Sequence, residues 1–244
     1  RKTRVDFRIA EVRSIDLEGR WVLTDHGEAG YEYLATALGS TTNFFGVEGA
    51  AETTFTLTSL KDAVGLRNHL LEMFERADLE QDPGRRRRLL TFCLVGAGCT
   101  GVELATELQD LIQKTLLRNY PRLDAREVRL VLPEASGRII PCVSNRLAWL
   151  GLDKLRRKGI EGRLHAPVIA VSEGAVTLAD GKVLPTETVV WTAGVKANPI
   201  VEGLPVEKDL IVDMEPFFES YREVMPFLIN KGHEPTKERL QSAE

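Results

Sequence analysis

The residue types and spacing best suited to chemistry lie in a glycine-rich turn. Residues 89–95 (LLTFCLV) form a continuous apolar run, the pattern of a strand buried on both faces, and Gly96, Ala97, Gly98, Cys99, Thr100 and Gly101 follow at once. A G-x-G-x-x-G turn between such a strand and a helix binds a dinucleotide. Gly96 makes the tight turn, Gly98 lets the backbone approach a pyrophosphate, and Gly101 lets the helix pack closely on the strand. Ala97 and Thr100 complete the loop, and the helix N-terminus offers free N–H groups and partial positive charge to the phosphates. Residues 128–132 (VRLVL) read as the next parallel strand, closing near Glu134. A carboxylate there accepts from a ribose 2′-OH and repels a 2′-phosphate, which selects NAD(H) over NADP(H). From Gly101 to Glu134 is 134 − 101 = 33 positions, where about 20 is usual, so a longer helix and the loop 120–127 must absorb the excess. The competing reading of the loop is a glycine turn that serves structure alone. Cys99 falls at the helix N-terminus, where the dipole can lower a thiol pKa, and the alternative is an inert buried thiol.

The elements that position this loop repeat. Residues 12–27 and 168–181 each read as short alternating strands joined by a Gly-containing turn, a β-meander. Each meander leads through a polar link to a strand ending in small residues, 33–39 (YLATALG) in one copy and 188–194 (TVVWTAG) in the other. Two copies of one dinucleotide-binding unit explain this better than chance likeness between two meanders. The expected fold class is α/β. It comprises a Rossmann-like three-layer ββα dinucleotide-binding domain over residues 89–204 and the remnant half of a second such domain over residues 1–60. A helical connection over residues 61–88 joins them, with Ser59 as N-cap and Asp62 in the capping-box position. Residues 205–244 read as a divergent tail with apolar patches at 214–218 and 225–229.

Composition sets limits. Hydrophobic residues at 43% and charged residues at 28% suit a globular protein, and a net charge of −4 argues against a nucleic-acid partner. The run at 85–88 (RRRR) reads as a solvated approach to the buried strand, with an anion-binding patch as the alternative. No apolar run approaches the ~18 residues of a membrane span, and no signal peptide is visible. Cys93, Cys99 and Cys142 show neither C-x-x-C nor metal-ligand spacing, which suits a reducing compartment and argues against a dithiol reductase; with the histidines scattered, no metal site is expected.

Residues 33–49 (YLATALGSTTNFFGVEG), 89–103, 137–141 (GRIIP) and 191–199 (WTAGVKANP) together resemble the type II NADH:quinone oxidoreductases, flavoproteins with two dinucleotide-binding domains. The resemblance spans roughly residues 5–204. It implies an FAD domain interrupted by an NADH domain, hydride transfer from NADH to FAD, and electron transfer to quinone at a membrane surface. By motif match it places Gly96, Gly98 and Gly101 on the NADH pyrophosphate and Glu134 on the adenosine ribose. It puts Glu103, the candidate catalytic residue, near the nicotinamide–flavin edge. Ala193 and Gly194 line the far side of the nucleotide cleft, and Leu38, Gly39 and Thr42 lie beside FAD. It also implies peripheral contact with the cytoplasmic face of a membrane and leaves a homodimer open. Cys99 departs from the family's usual proline, and Pro133 interrupts the end of the strand before Glu134. The family's N-terminal flavin glycine loop, C-terminal flavin segment, quinone-site glutamines and membrane helices have no match here. The expectation is therefore an FAD-dependent NADH dehydrogenase-like chain that carries little FAD on its own. The alternative is an NADH-binding fragment without flavin chemistry.

Overall fold

A computed structural model describes residues 5–206, and most of the tail expected after residue 204, with both its apolar patches, lies outside the described residues. The chain opens with β1 (Val12–Asp16), β2 (Trp21–Thr24) and β3 (Gly27–Gly30), an antiparallel meander in that order. Its register shifts between Val12 and Ser14. The strand expected at 33–39 is not formed. Tyr33 is 94% exposed, and no strand pairs with this segment among the described residues. Pairing begins only at β4 (Ser40–Thr42), and α1 (Ala50–Thr53) follows.

Helix α2 (Leu60–Leu79) forms where the sequence places its start, with both halves of the Ser59–Asp62 capping box present. It buries Leu66, Leu70, Met73, Phe74 and Ala77 along one stripe. Asp62 Oδ2 accepts from the Thr58 N–H at 2.9 Å, the Ser59 N–H at 3.1 Å and the Thr56 and Thr58 hydroxyls. The Thr58 bonds lead in holding its carboxyl down at about 2, against an ordinary 3.8. A depressed carboxyl contributes stability that is present above pH 3.8 and lost as pH falls through about 2. Acid unfolding followed by circular dichroism is therefore expected to lose part of its pH dependence in this window in Asp62→Asn. Superimposable acid profiles would remove the assignment.

The arginine run lies in a short helix at the end of the expected helical connection, with Arg85, Arg87 and Arg88 exposed. Asp82 caps α3 (Pro83–Leu89) with Pro83 in its first turn, and Arg88 pairs with Glu187 at 2.6 Å. Then come β5 (Thr91–Val95), the glycine turn and α4 (Cys99–Leu111), which runs on through a π-helical turn at 112–116 into α5 (Leu117–Asn119). That extension, with a short 3₁₀ turn at 125–127, absorbs the long spacing to β6 (Arg129–Pro133). After β6 come α6 (Asn145–Arg157), β7 (Ile160–Arg163), a second meander of β8 (Val168–Ser172), β9 (Ala175–Leu178) and β10 (Val183–Pro185), then β11 (Thr188–Trp191), β12 (Val195–Ala197) and α7 (Pro199–Glu202).

A parallel sheet ordered β11-β5-β6-β7 forms the middle layer. Side chains alternate across it, as strand geometry requires. Phe92, Leu94, Leu130, Leu132 and Val190 point into one core with α2, α4 and α6, while Cys93, Val95, Val131, Val189 and Trp191 point into another with Val168, Val171, Val176 and Leu184 of the second meander. The two faces complete the three-layer ββα arrangement. The second meander also shifts register at its start, between Val168 and Ala170, matching the irregularity in the first. The two copies meet where β12 pairs antiparallel with β4, and where Phe55 bridges Val190.

Candidate functional site

Gly96, Glu134 and Thr192 are the first residues beyond the C-terminal ends of β5, β6 and β11, the edge at which open α/β sheets bind ligands. Gly96 holds φ at 101°, left-handed space that favours glycine, and a Cβ there would overlap the backbone of Ala193. Its N–H donates to Pro133 O at 2.9 Å, so Pro133 ends β6 by offering the one backbone group it has. The Thr192 hydroxyl reaches Val95 O at 2.9 Å and Gly96 O at 3.0 Å, fixing the turn from the β11 side. A Cβ on Gly101 would overlap Gly96 O and lie 2.7 Å from the Thr192 hydroxyl. Two of the three glycines are thus required by packing.

Gly98 is different. It caps α4 at φ −68° and ψ −173°, a conformation open to any residue, and a Cβ there would meet nothing within 4 Å.

Glu134 is engaged more closely than the sequence suggests. Its Oε2 accepts from the Ala97 N–H at 2.7 Å and its Oε1 from the Ser136 N–H at 2.8 Å, so the carboxylate ties the glycine turn to the loop after β6. Each oxygen keeps a further lone pair. Beside it lies a cleft of about 290 Å³ lined by Gly96, Glu134, Ala193, Phe45, Pro167 and Trp191, among others.

The structure brings together Gly96, Ala97, Glu134 and Ala193, but it does not gather every residue singled out by the sequence. Leu38, Gly39 and Thr42 do not line this cleft. Thr42 pairs with Val195, and Leu38 O accepts from the Asn198 amide at 3.4 Å. Glu103 and Thr100 are exposed on α4. Gly194 acts by position: its O accepts from the Asn43 N–H at 3.0 Å, and a Cβ on it would press on the Phe45 ring at 2.9 Å. Sequence reasoning missed Phe45 and Pro167. It also missed Trp191, whose indole N–H donates to Asn43 O at 2.8 Å. Phe45 and Trp191 lie inside strings already informative by sequence, whereas nothing in the sequence marks Pro167.

Residues 1–216 match the family model described as pyridine nucleotide-disulphide oxidoreductase. The chain belongs to that family. It is similar to a probable NADH dehydrogenase of Dictyostelium discoideum, at 35% identity over 93% of this chain and 54% of the relative. It is also similar to the type II NADH:quinone oxidoreductase Ndh of Mycobacterium tuberculosis, at 33% identity over 86% of this chain and 47% of that protein. The chain thus spans about half the length of these curated relatives. In fold it resembles NDH2 of Plasmodium falciparum, solved in complex with NADH, with TM-score 0.73 at 20% identity over 79% of this chain and 41% of the other.

The direction of the Cys99 titration agrees with the inert-thiol reading rather than with a dipole-lowered pKa. Partial burial, with the neighbouring Cys142 thiol next, pushes the Cys99 thiol up rather than down, so the helix dipole does not decide its titration. Cys93 is fully buried in the sheet and is pushed up to about 12. Among the described residues no cluster of His, Cys, Asp and Glu could hold a metal, and no helix is long and apolar enough to cross a membrane.

Proposed function

We propose that this chain binds NADH across the glycine turn and serves as the nucleotide-binding part of a flavin-dependent NADH dehydrogenase whose final acceptor is a quinone. The observation that carries the reading is Gly98: neither backbone conformation nor neighbouring atoms ask for glycine there, so close approach of a ligand accounts for it. The α4 N-terminus supplies unpaired N–H groups to the pyrophosphate, and Glu134 turns its free lone pairs to the adenosine ribose. Ala193 and Phe45 wall the cleft. Glu103, one turn into α4, faces the reacting end of the nucleotide. Bound together, NADH and FAD supply the hydride chemistry, for which the protein's contribution is position and electrostatics.

Leu38, Gly39 and Thr42 are the positions proposed to lie beside FAD. Between them Thr41 keeps a buried hydroxyl without a hydrogen-bond partner among the described residues, the kind of orphaned group that a ligand can satisfy. Residues 1–60 then form the flavin-side half and residues 89–204 the NADH domain, joined by residues 61–88. Work at the cytoplasmic face of a membrane, as a homodimer, belongs to the same reading. The deciding experiment is an absorption spectrum of the purified protein with calorimetry against NADH. Flavin absorbance with NADH binding supports the enzyme, colourless protein that binds NADH supports a nucleotide-binding module, and absence of NADH binding removes both.

Cofactor choice follows from Glu134. A 2′-phosphate at the ribose would meet a carboxylate held by two backbone N–H groups and unable to swing away, a like-charge contact costing several kcal/mol. NADH is expected to bind at least about a hundredfold more tightly than NADPH, or ~2.8 kcal/mol, and Glu134→Gln should narrow the gap. Equal affinities in the native protein would remove Glu134 from the ribose.

A further inference from the structure

Cys99 opens α4, and Cys142 stands on the loop between β6 and α6, 43 residues away in sequence. Their Sγ atoms are 3.8 Å apart. Both supports are held: Ile140 N–H donates to Ala97 O at 2.8 Å, and the Arg138 guanidinium bonds Asn145 Oδ1 at 2.6 Å and Val143 O at 3.2 Å. A disulfide needs about 2.05 Å between sulfurs, so the two sulfurs already stand within about 2 Å of bonding distance. Cys142 is exposed and Cys99 partly so, whereas Cys93 is sealed in the sheet and cannot compete.

We propose that Cys99 and Cys142 form a reversible dithiol–disulfide site, oxidised by low-molecular-weight disulfides, that clasps the loop after β6 to the head of α4. The pair stands on its own geometry and does not depend on the dinucleotide reading. Chemically, the exposed Cys142 thiolate attacks one sulfur of the small disulfide, forming a mixed disulfide and releasing one small thiolate. Cys99 then attacks the Cys142 Sγ and releases the second. Two protein thiols are oxidised, one small disulfide is reduced to two thiols, and the two thiol protons pass to the released sulfurs.

The test incubates the native, reduced protein with glutathione disulfide, quenches by denaturation in N-ethylmaleimide, and reads intact mass. Reduced protein should take three maleimides, matching its three cysteines. Oxidised protein should take one, on Cys93, with no glutathione attached, and dithiothreitol should restore three. Cys99→Ser should instead stop at a glutathione adduct on Cys142, while Cys142→Ser should form no internal disulfide. Retention of three maleimide sites by the wild type, a lasting glutathione adduct, or an internal disulfide in Cys99→Ser would each overturn the proposal.

Discussion

Gly98→Val is expected to abolish NADH binding while leaving thermal unfolding unchanged. The two halves of this expectation come from different facts about one position. A Cβ at Gly98 meets nothing within 4 Å, and φ −68° with ψ −173° is extended backbone that a β-branched residue adopts readily, so the folded chain accepts valine. The space that receives the side chain is the space proposed for the pyrophosphate, whose contacts with the α4 N-terminus require the backbone to be bare. Loss of those contacts should weaken NADH by at least about a hundredfold, ~2.8 kcal/mol. Calorimetry gives the affinity and a melting curve gives the fold. Retained affinity at an unchanged melting temperature would show that the loop is structural and would sink the proposed site.

The glycine spacing identified the turn and gave each of its three members a task, but not the atoms that enforce it. Gly96 is fixed by Ala193, far away in sequence, and Gly101 by Gly96 O within the turn and by Thr192 across the sheet. The apolar run at residues 89–95 predicted a doubly buried strand, and alternation sends Phe92 and Leu94 to one core and Cys93 and Val95 to the other. The Ser59–Asp62 signal located the start of α2 because capping is a local interaction. Where the outcome depends on neighbours, the reading failed. Residues 33–39 have strand composition but no ladder partner among the described residues. The arginines at 85–88, by contrast, lie within the expected helical connection, where Asp82 and Pro83 supply the helix start. Glu134 stands out in the sequence by its position after the second strand, yet its bond to Ala97 N–H joins residues 37 apart and is visible only in three dimensions.

Gly101→Ala should be the costly counterpart of Gly98→Val. In an exposed helix the change would stabilise, since alanine is favoured over glycine by about 1 kcal/mol. Here the added Cβ would overlap Gly96 O and lie 2.7 Å from the Thr192 hydroxyl, so α4 must lift from the β5 edge. Forcing atoms into a filled contact costs about 1–3 kcal/mol. Pulling the half-buried Thr192 hydroxyl away from Val95 O and Gly96 O, now 2.9 and 3.0 Å away, loses a hydrogen bond worth about 1 kcal/mol more. Against a gain near 1, the net loss is about 1–3 kcal/mol, which for a chain of this size lowers the melting temperature by roughly 2–12 °C. Thermal unfolding by circular dichroism measures this directly. An unchanged or raised melting temperature would mean that the helix propensity gain prevails and that the close approach of α4 to the turn is not tight. A drop at Gly101 alongside an unmoved Gly98→Val would separate the glycine that builds the turn from the one that the nucleotide requires.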